Sequence, residues 1–411
     1  MNFEDFLRRN ARWLAAGFLL ALSSSFGQTY FIALFAGNLR ATFDLSHGEF
    51  GGIYSAANIA SAVCLVWLGK MADRGRLVLP GAAVLCGLAV AALAMSGVAS
   101  LAMLAGTLFA LRLFGQGLLG HIAMTAMGRW FVAQRGRALS IAALGFPAGE
   151  AVFPFLAVAL MAAVGWRGTW LVAAGALLGL ALPALLWLLR REPRHDASGA
   201  KTAGPGRTAA APREWTRREV LRDPFFYWLL PAIMAPSYML TGAFFHQVHL
   251  VETKGWSLAW FAASFPAYSL ASVAGSLCFG WAVDRWNAVR LLSGYLLPMA
   301  LGFLILGLSG LPLAAPVFMA LSGCTAGAGA TLVSALWAEL YGTRHLGAIR
   351  ALAMAALVFA AALAPGSMGW MIDLGIGLEI QFLGFTIYTL CAAAALWPLT
   401  LRLGRRVMAQ T

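Results

Sequence analysis

Two charged residues lie far from any other charge, each inside a long apolar stretch. Arg112 stands in "LFALRLFGQGLL", and Glu150 stands in "GFPAGEAVFP". A guanidinium can bind a carboxylate through two hydrogen bonds, whereas a carboxylate removed from water holds a proton more readily. These residues therefore predict anion binding at Arg112 and proton coupling at Glu150. The alternative is an ion pair between them that fixes the packing of two helices.

Polar residues in apolar stretches extend the candidate substrate-binding site. Gln116 follows Arg112 by four residues, which places both side chains on one face of an α-helix. Further candidates lie in the first and seventh apolar stretches: Gln28, Tyr30, Tyr238 and Thr241. Each of these side chains either lines a cavity or forms an ordinary hydrogen bond between helices.

The composition indicates that these residues lie in a protein surrounded by lipid. Hydrophobic residues make up 61% of the 411 and charged residues only 11%, against about 25% charged in soluble proteins. Lipid must therefore surround most of the chain. Twelve segments approach or exceed the ~20 residues that cross a bilayer. They are residues 12–36, 47–68, 78–97, 100–127, 138–164, 168–189, 224–246, 257–279, 291–309, 312–337, 347–372 and 377–400.

The net charge of +13 is distributed unevenly between the two sides of the predicted membrane. Of the 29 Lys and Arg residues, 25 fall on the side that holds both termini. Positively charged loops remain cytoplasmic. We therefore expect both termini in the cytoplasm of a cell whose inner (plasma) membrane holds the protein. The excess of basic residues over acidic ones reflects this topology, and we expect no binding of nucleic acid.

Several classes of function lack the residues that they need. The sequence has no phosphate-binding G-x-x-x-x-G-K-[ST] motif, no H-E-x-x-H and no G-x-S-x-G, which argues against a primary pump or an enzyme. One arginine and one glutamate do not form the polar ring of a channel. The five cysteines lie in predicted spans without a C-x-x-C pair, so we expect no metal and no cofactor. The expected partners are a small-molecule substrate and membrane lipid, with the protein acting as a monomer.

The two halves of the chain share a short motif. "GKMADRGRLVL" and "GWAVDRWNAVRLL" both read G-x-x-x-D-R and follow the second span of their halves. We predict a six-helix bundle over 1–189, a cytoplasmic linker over 190–223 and a second bundle over 224–411. Repeated halves with a binding site between them are a known plan of transporters. The residues predicted to open and close the cytoplasmic side are Gly69, Asp73, Arg74, Arg76, Gly280, Asp284 and Arg285.

The stretch around Glu150 also has features of helix packing. Gly145 and Gly149 are four residues apart, a spacing that lets two helix backbones approach closely. Pro147 and Pro154 remove backbone hydrogen bonds and permit bending. We predict a helix-packing role for these four residues.

Taken together, the motifs resemble the major facilitator superfamily over essentially the whole chain. The similar motifs are the G-x-x-x-D-R-x-x-R loop, "RLFGQG" and the Gly/Pro-rich "GFPAGEAVFP". Within the superfamily, "SFGQTYFIALF" and "GRWFVAQRGRALSIAALG" are similar to the monocarboxylate porter and oxalate/formate antiporter branch. The resemblance implies an all-α membrane protein with twelve transmembrane helices in two pseudo-symmetric six-helix bundles. It also implies transport by alternating access.

The sequence thus leads to two hypotheses about transport. The first is a secondary active transporter of a small, monocarboxylate-like organic anion, working by proton symport or by antiport. The alternative is a proton-driven exporter of hydrophobic or cationic compounds, which Glu150 and the apolar interior favour. A central arginine repels cations and a lone glutamate attracts them, so the charge of the transported compound separates the two hypotheses.

Overall fold

A computed structural model describes residues 3–72, 76–131, 134–191 and 214–408 of the chain. The chain divides into two compact units, Met1–Ala203 and Gly204–Thr411, and the regular elements described in both are helices. Helices are expected here because a spanning segment in lipid must satisfy its own backbone hydrogen bonds. The prediction of an all-α membrane protein is confirmed.

The N-terminal unit contains ten described α-helices, some of them joined by single 3₁₀ or π-helical segments. They are α1 (Phe3–Ser23), α2 (Thr29–Ile32), α3 (Ala36–Phe43), α4 (His47–Leu68), α5 (Val78–Ser96), α6 (Leu101–Leu111), α7 (Gly120–Trp130), α8 (Arg135–Ala143), α9 (Gly145–Ala176) and α10 (Leu182–Leu188). A π-helical segment, Arg112–Leu119, connects α6 to α7 without a turn.

The C-terminal unit likewise contains ten described α-helices. They are α11 (Arg217–Val220), α12 (Pro224–Phe245), α13 (Gln247–Lys254), α14 (Leu258–Ala263), α15 (Phe265–Trp286), α16 (Ala288–Leu291), α17 (Leu297–Leu308), α18 (Ala314–Tyr341), α19 (Leu346–Asp373) and α20 (Leu378–Met408).

The described helices are consistent with twelve membrane spans. Nine helical stretches are long and apolar enough to cross a bilayer, and a pair bent by 44° within the first 43 residues forms a tenth. The stretch Arg135–Leu188 covers two predicted spans, because α9 is interrupted at Gly165, whose φ of 74° suits glycine. The apolar helix α17 is shorter than the others and accounts for the remaining span.

Arg167, just after the break at Gly165, contacts the junction between α5 and α6. Its guanidinium donates to the carbonyls of Ser96 at 2.8 Å and Val98 at 3.1 Å, just after α5 ends. The same group lies 4.4 Å from the ring centre of Trp166. An arginine at this position satisfies carbonyls that the last turn of a helix leaves without partners. Ser100 then begins α6 by capping its N-terminus.

Glycines determine how closely α15 and α18 pack in the C-terminal unit. A Cβ atom added to Gly323 or Gly327 would collide with the backbone carbonyl of Tyr268 or Ser272. A Cβ at Gly275 would likewise collide with the backbone of Cys324. Small residues are what allow helix backbones in a membrane to approach to this distance.

The predicted linker lies largely outside the described residues, which omit 192–213. After this gap, Trp215 donates its backbone N–H to the Tyr341 carbonyl at 3.0 Å and packs edge-on against the Tyr341 ring. Thr216 and Glu219 then form a capping box that begins α11. This segment is part of the C-terminal unit, and the predicted domain boundaries stay predictions.

Candidate functional site

The first span is broken at Gln28, and the break exposes a backbone acceptor. Gln28 has an extended conformation (φ −81°, ψ 151°) between a 3₁₀ turn and α2. In a continuous helix, the Phe31 amide would bond the Gly27 carbonyl. Here it bonds the Gln28 carbonyl at 3.2 Å. The Gly27 carbonyl is therefore available to a different donor.

Arg112 is that donor, and its other contacts are also with neutral groups. Its Nη1 donates to the Gly27 carbonyl at 3.1 Å and to Thr29 Oγ1 at 3.2 Å. Its Nε and Nη2 donate to Asn58 Oδ1 at 3.1 and 2.8 Å, and the Tyr54 ring centre lies 5.4 Å away. Only 2% of Arg112 is exposed. The positive charge is thus held by dipoles, and no acid among the described residues pairs with it.

Two glycines bring Arg112 within reach of the first span. A Cβ added to Gly115 would lie 2.6 Å from the Gly27 Cα, and one added to Gly27 would lie 2.7 Å from the Gly115 Cα. Neither position has room for a side chain. Gly115 belongs to the π-helical segment that starts at Arg112, an irregularity that is frequent at functional sites.

Helix α4 supplies the remaining members of this site from two positions four residues apart, on one helix face. The buried Tyr54 hydroxyl donates to Thr29 Oγ1 at 3.0 Å. Asn58 is 4% exposed, and its Nδ2 has no hydrogen-bond partner among the described residues. We call Arg112, Gly27, Thr29, Tyr54 and Asn58 the arginine cluster. The last three were missed from the sequence, although a polar pair at this spacing inside an apolar span is a usable signal.

Gln116 is exposed, whereas Arg112 and Gly115 are buried. Gln116 and Arg112 lie in the same π-helical segment. The place of Gln116 in the substrate-binding site stays a prediction. The other two candidates of the first span lie beside the cluster in sequence: Gln28 is half-buried and Tyr30 is buried.

The alternative interpretation, an ion pair between Arg112 and Glu150, is not what the described residues form. Among the described residues, every hydrogen bond of Arg112 goes to the neutral acceptors of the cluster, and Glu150 forms none. Glu150 follows Gly149, whose missing side chain makes room for Ser25 Oγ of the first span. Successive helical residues point about 100° apart. Glu150 is therefore turned away from that contact, and it is half-buried.

The other residues predicted for helix packing lie on the same helix as Glu150. A Cβ at Gly145 would collide with the Phe18 carbonyl and lie 2.8 Å from the Ala21 Cβ. Pro147 is half-buried in the first turn of α9, and Pro154 is buried within it. Glycines here permit the close approach of α9 to α1.

In the C-terminal unit, Tyr238 joins α12 to α19. Its hydroxyl lies 2.6 Å from Ser367 Oγ, and Ser367 also donates to the Leu363 carbonyl at 2.8 Å. Tyr238 lines a cavity between α12, α19 and α20. Thr241 is half-buried, three residues further along α12.

The first repeated loop is described only in part. Asp73 and Arg74 lie outside the described residues, Gly69 is buried and Arg76 is exposed. His121 Nε2 lies 3.2 Å from the Gly69 carbonyl, and Arg129 donates to the Ala72 carbonyl at 2.7 Å. Side chains of α7 therefore hold the start of this loop.

The second repeated loop ends α15. Gly280 is half-buried and Asp284 is exposed. Arg285 is exposed as well, and its guanidinium lies 5.9 Å from the ring centres of two tryptophans on its own helix. Glu339 of α18, which was missed from the sequence, accepts the Ala288 amide at 2.9 Å. A carboxylate at this position stabilises the start of α16.

These features define a class of protein. Two helical units of apolar spans, with a broken helix whose free carbonyl meets a buried arginine, describe a multi-pass membrane protein of the kind that carries solutes. The sequence matches the Major Facilitator Superfamily over residues 17–267. The chain belongs to the Major Facilitator Superfamily, whose members are transporters rather than enzymes.

Solved structures show the same fold. A bacterial homologue of the human lysosomal transporter Spinster, in an inward-facing, unoccupied conformation, aligns with a TM-score of 0.74 at 14% identity over 97% of this chain and 98% of its own. Its occupied form aligns at 0.74 and 16%, over 96% and 97%. A variant of the nucleoside transporter NupG aligns at 0.70 and 15%, over 94% and 99%. No curated protein matches the sequence.

Proposed function

We propose that this protein is a secondary active transporter that moves a small, monocarboxylate-like organic anion by proton coupling or exchange, through alternating access. The observation that carries the proposal is the uncancelled charge of Arg112, which is buried among neutral acceptors. A charge in low-dielectric surroundings without a counter-ion attracts anions and repels cations over several ångströms. The likeness of residues 25–35 and 128–145 to the monocarboxylate porter branch supports the same substrate class.

The hydrogen bonds of the arginine cluster refine the role of Arg112. A guanidinium has five N–H donors, and four hydrogen bonds of Arg112 go to Asn58, Gly27 and Thr29. Tyr54 makes a further side-chain hydrogen bond with Arg112. Arg112 therefore acts mainly through its charge.

Proton coupling is assigned to Glu150 in this proposal. It has no ion-pair or hydrogen-bond partner among the described residues. Glu150 can therefore be protonated and deprotonated without breaking a structural contact. Five residues remain candidate substrate contacts: Gln28, Tyr30, Gln116, Tyr238 and Thr241. The protein is proposed to act as a monomer, in an inner (plasma) membrane with both termini in the cytoplasm.

The repeated loops are proposed to control conformational exchange on the cytoplasmic side. Asp284 is exposed and far along the chain from the arginine cluster. Asp284→Asn should therefore slow exchange without weakening substrate binding. Weaker binding at an unchanged exchange rate would contradict a gating role.

The second hypothesis, a proton-driven exporter of hydrophobic or cationic compounds, keeps one observation in its favour. Glu150 is a carboxylate without a partner among the described residues, and a lone carboxylate attracts cations. Under this hypothesis the transported cation would neutralise Glu150, and Arg112 would serve only to hold the first span.

Charge selection in proteoliposomes tests the proposal. Purified protein is reconstituted, and uptake of small carboxylates (acetate, lactate, oxalate) is compared with uptake of the lipophilic cation tetraphenylphosphonium. We expect uptake of carboxylates, abolished in Arg112→Gln, which removes the charge. Arg112→Lys should impair uptake, because it keeps the charge but a point charge cannot bridge the acceptors on two spans. Uptake of the cation with no carboxylate uptake would contradict the proposal and support the exporter.

A further inference from the structure

The C-terminal unit contains a pocket between three of its candidate spans. Residues of α12, α18 and α19 line a cavity of about 240 Å³, to which Tyr295, just before α17, also contributes. Met354 of α19 belongs to the lining and is 55% exposed, so a ligand can enter beside it. An apolar cavity of about 150 Å³ can hold benzene. This pocket therefore has room for a hydrocarbon group of that size.

The interior of the pocket suits hydrocarbon, because its hydroxyl groups are already bonded to the protein. Ser237 donates its proton to a backbone carbonyl of α19 at 2.9 Å, and Tyr295 donates to one of α12 at 3.1 Å. Thr325 is fully buried and accepts a backbone amide of α17 at 3.1 Å. Among the described residues, no charged side chain lines the pocket. A polar head group inside the pocket would therefore lack partners.

An arginine stands at the rim of this pocket. Arg350 lies one turn before Met354 on the same face of α19, and its Nη2 donates to Ser334 Oγ at 3.0 Å. Ser334 lines the pocket and donates its single proton to the Ala330 carbonyl at 2.9 Å. Ser334 can therefore only accept from Arg350, and this bond holds the guanidinium at the edge of the pocket.

The guanidinium of Arg350 is accessible to a ligand. Its side chain is exposed, and the bond to Ser334 uses one of its five N–H donors. Within the described part of the chain, Arg350 forms no ion pair. Glu339, five residues after Ser334 on α18, accepts the Ala288 amide instead. The pocket thus combines a hydrocarbon interior with a positive charge at its rim.

We propose that this pocket binds an aromatic carboxylate. The carboxylate accepts two hydrogen bonds from the Arg350 guanidinium, and the ring lies between α12, α18 and α19. The charge at the rim favours an anion over a cation, and the interior favours a ring over a polar group. The site lies entirely in the C-terminal unit and uses no member of the arginine cluster. It therefore stands independently of the proposed anion transport.

Equilibrium binding of labelled benzoate to the purified full-length protein tests this site. Two unlabelled competitors separate its parts: benzamide has the ring without the charge, and acetate has the charge without the ring. We expect each to compete about tenfold or more weakly than unlabelled benzoate, as one charge-assisted hydrogen bond or one buried ring predicts. Benzamide that competes as well as benzoate would overturn the proposal.

The role of the charge is tested by replacing Arg350. Arg350→Gln, at an exposed position, should weaken benzoate binding about tenfold or more. Arg222→Gln removes an exposed arginine just after α11 and is the matched control, with unchanged binding expected. Arg112→Gln should also retain benzoate binding, because the arginine cluster is a different site. Binding that is lost in Arg112→Gln and unchanged in Arg350→Gln would contradict the proposal.

A further variant tests the space itself. Gly329 lines the pocket, and an added Cβ would make an ordinary contact with the Tyr295 ring at 3.5 Å, so Gly329→Leu should fold and fill the pocket. We expect it to abolish benzoate binding. Gly384→Leu, at an open helical position of α20 outside this pocket, is the control and should bind normally. Undiminished binding in a folded Gly329→Leu protein would likewise overturn the proposal.

Discussion

Arg112 is held by oxygen atoms that carry no charge, which separates its role from that of Glu150. In an ion pair, each group would neutralise the charge of the other, and the role of both would be to hold two helices together. In the structure, Asn58 accepts two hydrogen bonds from Arg112, while Glu150 stands apart. In the proposed mechanism, the charge of the arginine favours anions and the carboxylate exchanges the coupled proton.

Glu150→Gln is expected to separate binding from coupling. The amide resembles the protonated carboxyl in shape but cannot release a proton. The variant should therefore retain counterflow exchange of the substrate and lose accumulation driven by a pH gradient. Glu252→Gln removes an exposed carboxylate at the end of α13 and should behave like the wild-type protein. Normal pH-driven accumulation by Glu150→Gln would show that Glu150 does not carry the proton.

Irregular backbone explains which elements could not be predicted in detail. The length of the apolar segments was enough to identify the spans. It could not place the break at Gln28 or the π-helical segment, since both are set by contacts between helices that are distant in sequence. The Gly27–Gly115 contact was not anticipated for the same reason.

Gly115→Ala should damage the arginine cluster through its backbone. The added methyl group meets the Gly27 backbone at 2.6 Å and must push the first span away, with an expected loss of about 1–3 kcal/mol. Thermal unfolding in detergent measures this loss. Gly117→Ala is the matched control in the same segment, because its Cβ would make only ordinary contacts at 3.5 Å and alanine favours helix. Equal stability of the two variants would contradict the importance of the close approach.

At the scale of the whole molecule, composition and apolar length predicted the fold class, and the resemblance of three motifs predicted the superfamily. A chain that spans lipid must be helical or form a closed barrel. Few observations are therefore needed to predict its fold class. The neutral partners of Arg112 could not be predicted, because the sequence does not say which span packs against the segment that contains Arg112. Asn58 could be suspected as a polar residue in a span, but its pairing depends on tertiary packing.

The predicted topology places the linker over 190–223 in the cytoplasm. Positively charged loops remain cytoplasmic, so a cysteine at position 205 should face the cytoplasm. In a background without the five native cysteines, Pro205→Cys should resist an impermeant thiol reagent in intact cells and react after permeabilisation. Labelling from outside intact cells would reverse the orientation.

The most direct test of the account is the substitution Asn58→Asp. It places a carboxylate on the atoms that now contact Arg112 at 2.8 and 3.1 Å, and so cancels the charge without removing the arginine. Asn38→Asp, an exposed position on α3, adds the same charge elsewhere as a control. Counterflow exchange of carboxylates in proteoliposomes should fall by about tenfold or more in Asn58→Asp, with thermal stability retained, and remain unchanged in Asn38→Asp. Full exchange activity in a stable Asn58→Asp protein would contradict the claim that the uncancelled charge of Arg112 selects the substrate.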